Sequence, residues 1–172
     1  MQKAREQESR IRGRLTRELA LLVIASLVIA LDQVSKFLVR ANLSLGQSIP
    51  EEGFFRITYI TNAGASWGIF SNAVFLTVAT AVVVIATLVI YLRYALVRRT
   101  LFRLALGLLI GGSMGNMIDR LSQGRVTDFI DVGAWPVFNI ADCAIVIGVV
   151  LIAANLIFSV KREKQPSEPK DD

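Results

Sequence analysis

The sequence predicts an all-α membrane protein with four transmembrane helices, both termini in the cytoplasm and a short β-rich segment on the outer face. Three observations carry this. Apolar residues make up 53% of the 172, and the mean hydropathy is +0.54. Charges make up 19% of the chain and leave uncharged runs at 19–31, 69–92, 104–118 and 143–160. Fourteen of the nineteen basic residues fall within 1–18, 93–103 and 161–170, on one side of a four-helix layout, which sets the orientation.

Residues 1–16 read as a basic cytoplasmic tail. The run at 19–31 holds thirteen uncharged residues and is short for a span, but it continues through Asp32-Gln33-Val34-Ser35-Lys36 into an apolar tripeptide. It is read as one helix over 17–40 carrying a polar cluster at membrane depth. A cleaved leader would end in small residues, and none follow here. Segment 41–68 lies outside, and its aromatic and β-branched stretch 54–61 predicts a short strand, followed by a turn through Asn62 and Gly64. The twenty-four uncharged residues of 69–92 span outright, and a basic loop, 93–102, returns the chain. A third span covers 103–120, with Gly107, Gly111 and Gly115 at i, i+4 and i+8, a stripe that lets another helix approach closely. Segment 121–138 lies outside again. The fourth span, 139–160, starts after Pro136, with Asn139 as N-cap and Asp142 three residues on. Residues 161–172 read as a disordered cytoplasmic tail.

Composition excludes several chemistries. There is no histidine and one cysteine, so a histidine-based triad is impossible and a transition-metal site or disulfide framework is not expected. The net charge of +5 marks orientation and anionic lipid, and no motif points to nucleic acid.

Carboxylates carry what chemistry remains. Asp32, Asp119, Asp128, Asp131 and Asp142 lie in or beside the membrane, where an ionisable group is costly and a functional candidate. Asp32 and Lys36, at i, i+4, are spaced to neutralise each other. Asp119 reads as interfacial beside Arg120, and Asn116 shares a face with Arg120. Asp131 reads as solvated in a turn. Asp128 sits in an apolar context, and Gly133-Ala134-Trp135-Pro136 supplies a turn that would bring it opposite Asp142. Two adjacent carboxyls share a proton, and such a pair does acid–base work on an amide without histidine or metal. Five carboxylates allow ten pairs, and spacing alone does not choose among them.

Five blocks make the choice by resemblance. Asp32-Gln33-Val34-Ser35-Lys36, Asn62-Ala63-Gly64-Ala65-Ser66-Trp67-Gly68, Gly115-Asn116-Met117-Ile118-Asp119-Arg120, Gly124-Arg125-Val126-Thr127-Asp128-Phe129-Ile130 and Phe138-Asn139-Ile140-Ala141-Asp142 stand in order along residues 17–160. The pattern resembles the lipoprotein signal peptidases (signal peptidase II). The resemblance implies an aspartic endopeptidase of the bacterial inner membrane, working as a monomer without cofactor or metal. It would cut diacylglyceryl-modified prolipoproteins before the lipidated cysteine. Asp128 and Asp142 would be the catalytic pair. Asp32, Asn62, Asn116, Arg120 and Asn139 would line the site, and 44–66 would form a periplasmic β-cradle over it. Lys36, Gly64, Gly107, Gly111, Gly115 and Asp119 are read as structural. Asp142, near a helix N-terminus, is expected to be the more acidic of the pair. The rival readings are a proton or cation pathway through Asp32, Asp128 and Asp142, and a membrane scaffold using the glycine stripe.

Overall fold

The computed structural model describes residues 1–62, 78, 82, 84–87, 89 and 100–163. The predicted turn at Gly64 lies outside these, as does most of the predicted span 69–92. The elements are α1 (Gln2–Asn42), β1 (Ser48–Ile49), β2 (Arg56–Asn62), α2 (Thr100–Gln123), β3 (Val126–Asp131) and α3 (Ile140–Glu163).

Helix α1 begins fifteen residues before the predicted span, because 2–16 is built mostly from strong helix formers and holds no proline. It ends where Leu43 turns extended, with its N–H still bonded to the Val39 carbonyl at 3.0 Å. One stripe of α1 is buried: Leu21, Ala25, Val28, Asp32, Lys36 and Val39, spaced by threes and fours. The opposite face exposes Leu22, Val23, Leu27, Leu31, Val34, Phe37 and Leu38. Charged groups inside and large apolar groups outside invert the pattern of a water-soluble protein. The same inversion marks α3, which exposes Val146, Ile147, Val149 and Val150. Among the described residues, Glu18–Asn42 and Thr100–Gln123 are each long and apolar enough to cross a membrane, and Ile140–Asn155 is a shorter apolar helix.

Helix α2 packs between α1 and α3. The predicted glycine stripe faces α1. A Cβ on Gly107 would meet Ile24, one on Gly111 would lie 2.8 Å from the Ala25 carbonyl, and one on Gly115 would lie 2.6 Å from Asp32 Oδ2. These contacts advance together along both chains, so α1 and α2 run parallel. Gly112 meets the Ala141 carbonyl and Gly148 meets Ala105, so α3 runs antiparallel to α2. Gly124, with φ +71°, closes α2 in the left-handed conformation that favours glycine, its N–H bonded to the Arg120 carbonyl at 3.0 Å.

The C-terminal ends of α1 and α2, the N-terminal end of α3 and an antiparallel sheet of order β1-β2-β3 therefore gather at one end of the bundle. Strand β2 starts two residues later than the predicted stretch and ends one later. Strand β3 was not expected inside the outer segment 121–138, although Val126, Thr127, Phe129 and Ile130 are strand formers. Its pairing with β2 runs Arg56↔Asp131 and Ile57↔Ile130, then Ile60↔Asp128 and Asn62↔Val126, with a bulge of one extra β2 residue between. The bulge changes the face that β2 presents. Before it, Arg56 and Thr58 address Asp131; after it, Ile60 and Asn62 share the face of Asp128. The Gly133–Pro136 turn then folds the chain back, and Phe138 bonds to Ile130 and Phe129 at 2.7–3.1 Å.

Candidate active site

The site grows from the first turn of α3. Asn139 caps the helix: its Oδ1 accepts the Asp142 N–H at 2.9 Å, and Asp142 Oδ2 accepts the Asn139 N–H at 3.3 Å. This reciprocal capping box fixes Asp142. The Asn139 side-chain amide points the other way and donates to Asp128 Oδ1 at 2.6 Å, with Asn116 Oδ1 and the Thr127 carbonyl at 3.1 and 3.3 Å. One fully buried asparagine thus touches both aspartates, from β3 and from α3. Asn62 Nδ2 adds a donor to Asp128 Oδ2 at 3.2 Å, across the strand pair and just past the bulge.

Asn116 holds Asp142 from α2, its Nδ2 donating to Asp142 Oδ1 at 2.7 Å. Its Oδ1 accepts from Lys36 Nζ at 3.0 Å and from Asn139 Nδ2. Lys36 has donors only, so the reversed amide would set donor against donor, and the orientation of Asn116 is fixed.

Lys36 is fully buried and sits among three acceptors, matching its three hydrogens: Asp32 Oδ2 at 2.8 Å, Asp119 Oδ2 at 3.3 Å and Asn116 Oδ1. Asp32 Oδ1 accepts the Ala141 N–H at 2.9 Å, and Asp119 Oδ2 accepts the Thr127 N–H at 2.9 Å. Arg40, four residues past Lys36, reaches Asp119 at 3.7 Å and Thr127 Oγ1 at 3.0 Å. Gln33 Nε2 lies within 3.1–3.2 Å of Asp32, Asp119 and the Gly115 carbonyl. Arg120, half-buried at the same end, stands in the electrostatic field of Asp142, Asp128 and Asp119.

Asp128 is 2% exposed, whereas Asp142 is half-buried. Burial, with the nearby charge of Asp142 second, pushes the Asp128 carboxyl up from 3.8 to about 6; the bonds from Asn62 and Asn139 and the charge of Lys36 oppose the rise. Asp131 lies on the other face of β3 in a different setting. The Gly133 N–H, the Thr58 hydroxyl and Arg56 at 2.7 Å hold its carboxyl below the ordinary range.

A family model described as signal peptidase (SPase) II matches residues 24–158. This chain belongs to the signal peptidase II family. A lipoprotein signal peptidase of Moorella thermoacetica is 44% identical over 137 residues, covering 79% of this chain and 91% of the relative. One from Dehalococcoides mccartyi is 42% identical over 142 residues, covering 79% and 88%. Two solved structures described as bacterial membrane enzymes align with TM-scores of 0.77 and 0.71, both at 35% identity. They cover 88% and 80% of this chain, and 94% and 92% of their own. The chain is accordingly a membrane peptidase of the aspartic type that the family represents.

The structure brings together Asp32, Asn62, Asn116, Asn139, Asp128 and Asp142, with Lys36 and Asp119 among them. The i, i+4 pairing of Asp32 with Lys36 is as read from the sequence. Two readings change. Asp119 is fully buried against Lys36 rather than interfacial, because α2 turns it toward α1. Asp131 is buried rather than solvated, because the bulge aims Arg56 and Thr58 at it. Gln33, Arg40 and Thr127 carry contacts that sequence reading missed. Arg40 had a signal, since Asp32, Lys36 and Arg40 continue one i+4 series.

Proposed function

We propose that this signal peptidase II family member removes the signal peptide from diacylglyceryl-modified prolipoproteins, cutting before the lipidated cysteine with Asp128, Asp142 and water. The observation that carries the reading is Asn139 touching both carboxyls at the mouth of the bundle. In the form that reacts, Asp142, the more exposed of the two and at a helix N-terminus, carries the negative charge, and Asp128 carries the proton. The ionised Asp142 takes a proton from water as its oxygen attacks the scissile carbonyl carbon. Asp128 gives its proton to the carbonyl oxygen, forming a tetrahedral gem-diol. The proton on Asp142 then passes to the leaving nitrogen, the C–N bond breaks, and Asp128 recovers its proton as the carbonyl re-forms. Asn116 and Asn139 hold the carboxyls throughout, and Arg120 faces the substrate backbone or a lipid phosphate.

The parallel run of α1 and α2 supports the four-span reading. A chain leaving one end of the bundle and re-entering at the other must cross between them, and 69–92 is an uncharged stretch of that length. With the basic clusters in the cytoplasm, the pair faces the periplasmic side of the inner membrane. Phe54, Phe55 and Trp135, each more than half exposed, fit a cradle resting at the interface. Glycine packing is used within the bundle, and among the described residues most buried polar groups gather at one end of it, with Arg103 and Asn155 toward the other, so neither a scaffold nor a conduction path is favoured. The test is purified enzyme with a lipid-modified precursor. Asp128→Asn and Asp142→Asn are each expected to lower turnover about a thousandfold or more with the fold intact. Near-full turnover by either variant would refute the assignment.

A further inference from the structure

We propose that Asp32, Lys36 and Asp119 form a positioning bracket that sets the separation of the two aspartates; this rests on reading Asp128 and Asp142 as the catalytic pair. The placement of its bonds argues for it. Asp32 Oδ1 holds the N–H of Ala141, the residue before Asp142, at 2.9 Å. Asp119 Oδ2 holds the N–H of Thr127, the residue before Asp128, also at 2.9 Å. Lys36 joins the two carboxylates at 2.8 and 3.3 Å and sends its remaining hydrogen to Asn116, which donates to Asp142.

All three side chains are fully buried, so none is free to meet substrate directly. Helix α1 thereby ties the backbone beside each aspartate to one ammonium group. A buried ion cluster contributes little net stability compared with apolar packing, so its geometric role is the stronger account. The bond to Ala141 also occupies a first-turn N–H of α3 that the helix itself leaves without a partner. Catalysis by a carboxyl pair is sensitive to position, since a misplacement of about 1 Å can lower a rate about a hundredfold.

The experiment compares wild type, Asp32→Asn, Asp119→Asn, the double variant and an Asp142→Asn control on a lipid-modified precursor. Thermal unfolding confirms the fold of each. Each single variant is expected to lower kcat about 10- to 100-fold with KM within about threefold of wild type. The double variant is expected within about threefold of the weaker single, because releasing either end already frees the lysine. A folded single with unchanged kcat, losses that multiply, or an effect confined to KM would each overturn the bracket. Should a variant fail to fold, amide exchange on the wild-type enzyme decides. The Ala141 amide should exchange at least about tenfold more slowly than a solvated first-turn amide, and the Thr127 amide at least about tenfold more slowly than a solvated strand-end amide; ordinary rates at either would overturn the proposal. Cleavage by wild type, loss in Asp142→Asn and full kcat in the bracket variants would sink the bracket alone. Equal activity in wild type and Asp142→Asn would sink the catalytic pair, and the bracket with it.

Discussion

Replacing Asp128 by Asn should change stability in a pH-dependent way. Asp128 is buried, and its carboxyl titrates near 6 in the folded protein instead of 3.8. Below about pH 4 both folded and unfolded chains hold the proton. Between the two values the unfolded chain releases it and the folded chain keeps it. Above about 6 both are ionised, and the folded state bears the full cost of a buried charge. From 3.8 to about 6, at about 1.4 kcal/mol for each pH unit, that cost is about 3 kcal/mol. Asparagine cannot ionise, so the variant escapes the cost. It brings another: its amide nitrogen must face the donor of Asn139 or that of Asn62, at about 1–3 kcal/mol. The variant should therefore be the less stable protein at pH 4 and should match or exceed wild type at pH 8. Denaturant unfolding of detergent-solubilised enzyme at both pH values measures the difference. A gap between wild type and variant that changes by less than about 1 kcal/mol from pH 4 to pH 8 would refute the account of Asp128.

Three further outcomes follow from the geometry. Asn139→Ala removes the cap of α3 and a donor to Asp128, so unfolding should show a loss of about 2–3 kcal/mol and kinetics a fall in kcat of about a hundredfold. Gly112→Ala drives a methyl group into the Ala141 carbonyl, so the bundle should lose about 1–3 kcal/mol by unfolding. Asp131→Asn should weaken the sheet at neutral pH and make no difference in strong acid. A depressed carboxyl stabilises the fold above the ordinary carboxylate range, and that stability is lost as pH falls through its lower folded value. Amide exchange across β1–β3 at neutral and acid pH tests this.

The three described helices were legible because each announces itself locally. Uncharged runs end at charges, a capping box opens α3, and the spacing of Gly107, Gly111 and Gly115 marks where α1 and α2 touch. The pairing of Asp32 with Lys36 needed only one turn of helix. What a local reading could not supply was the convergence of separate elements. Asp119 looked interfacial because its partner, Lys36, stands eighty-three positions away in sequence. Asp131 looked solvated because nothing in Arg56-Ile57-Thr58-Tyr59-Ile60 announces that the strand carries an extra residue. Strand β3 was passed over because a lone aspartate interrupts its apolar pattern, and that aspartate is the candidate catalytic group. Choosing Asp128 and Asp142 among ten possible pairs rests on the resemblance; the fold adds that Asn139 bonds to both of them.

The extra residue in β2 divides the labour of that strand. Arg56 and Thr58 work as fasteners for the sheet, while Ile60 and Asn62 are turned toward the chemistry, and only chain length separates the two duties. Amino-acid changes within either half should be read out separately, as looser folding in the first and slower turnover in the second. Shortening the strand by one position there would remove the bulge yet leave Arg56 opposite Asp131 and Asn62 opposite Val126, whereas a residue added between Ile60 and Asn62 would act like a frameshift in space, turning Asn62 away from Asp128.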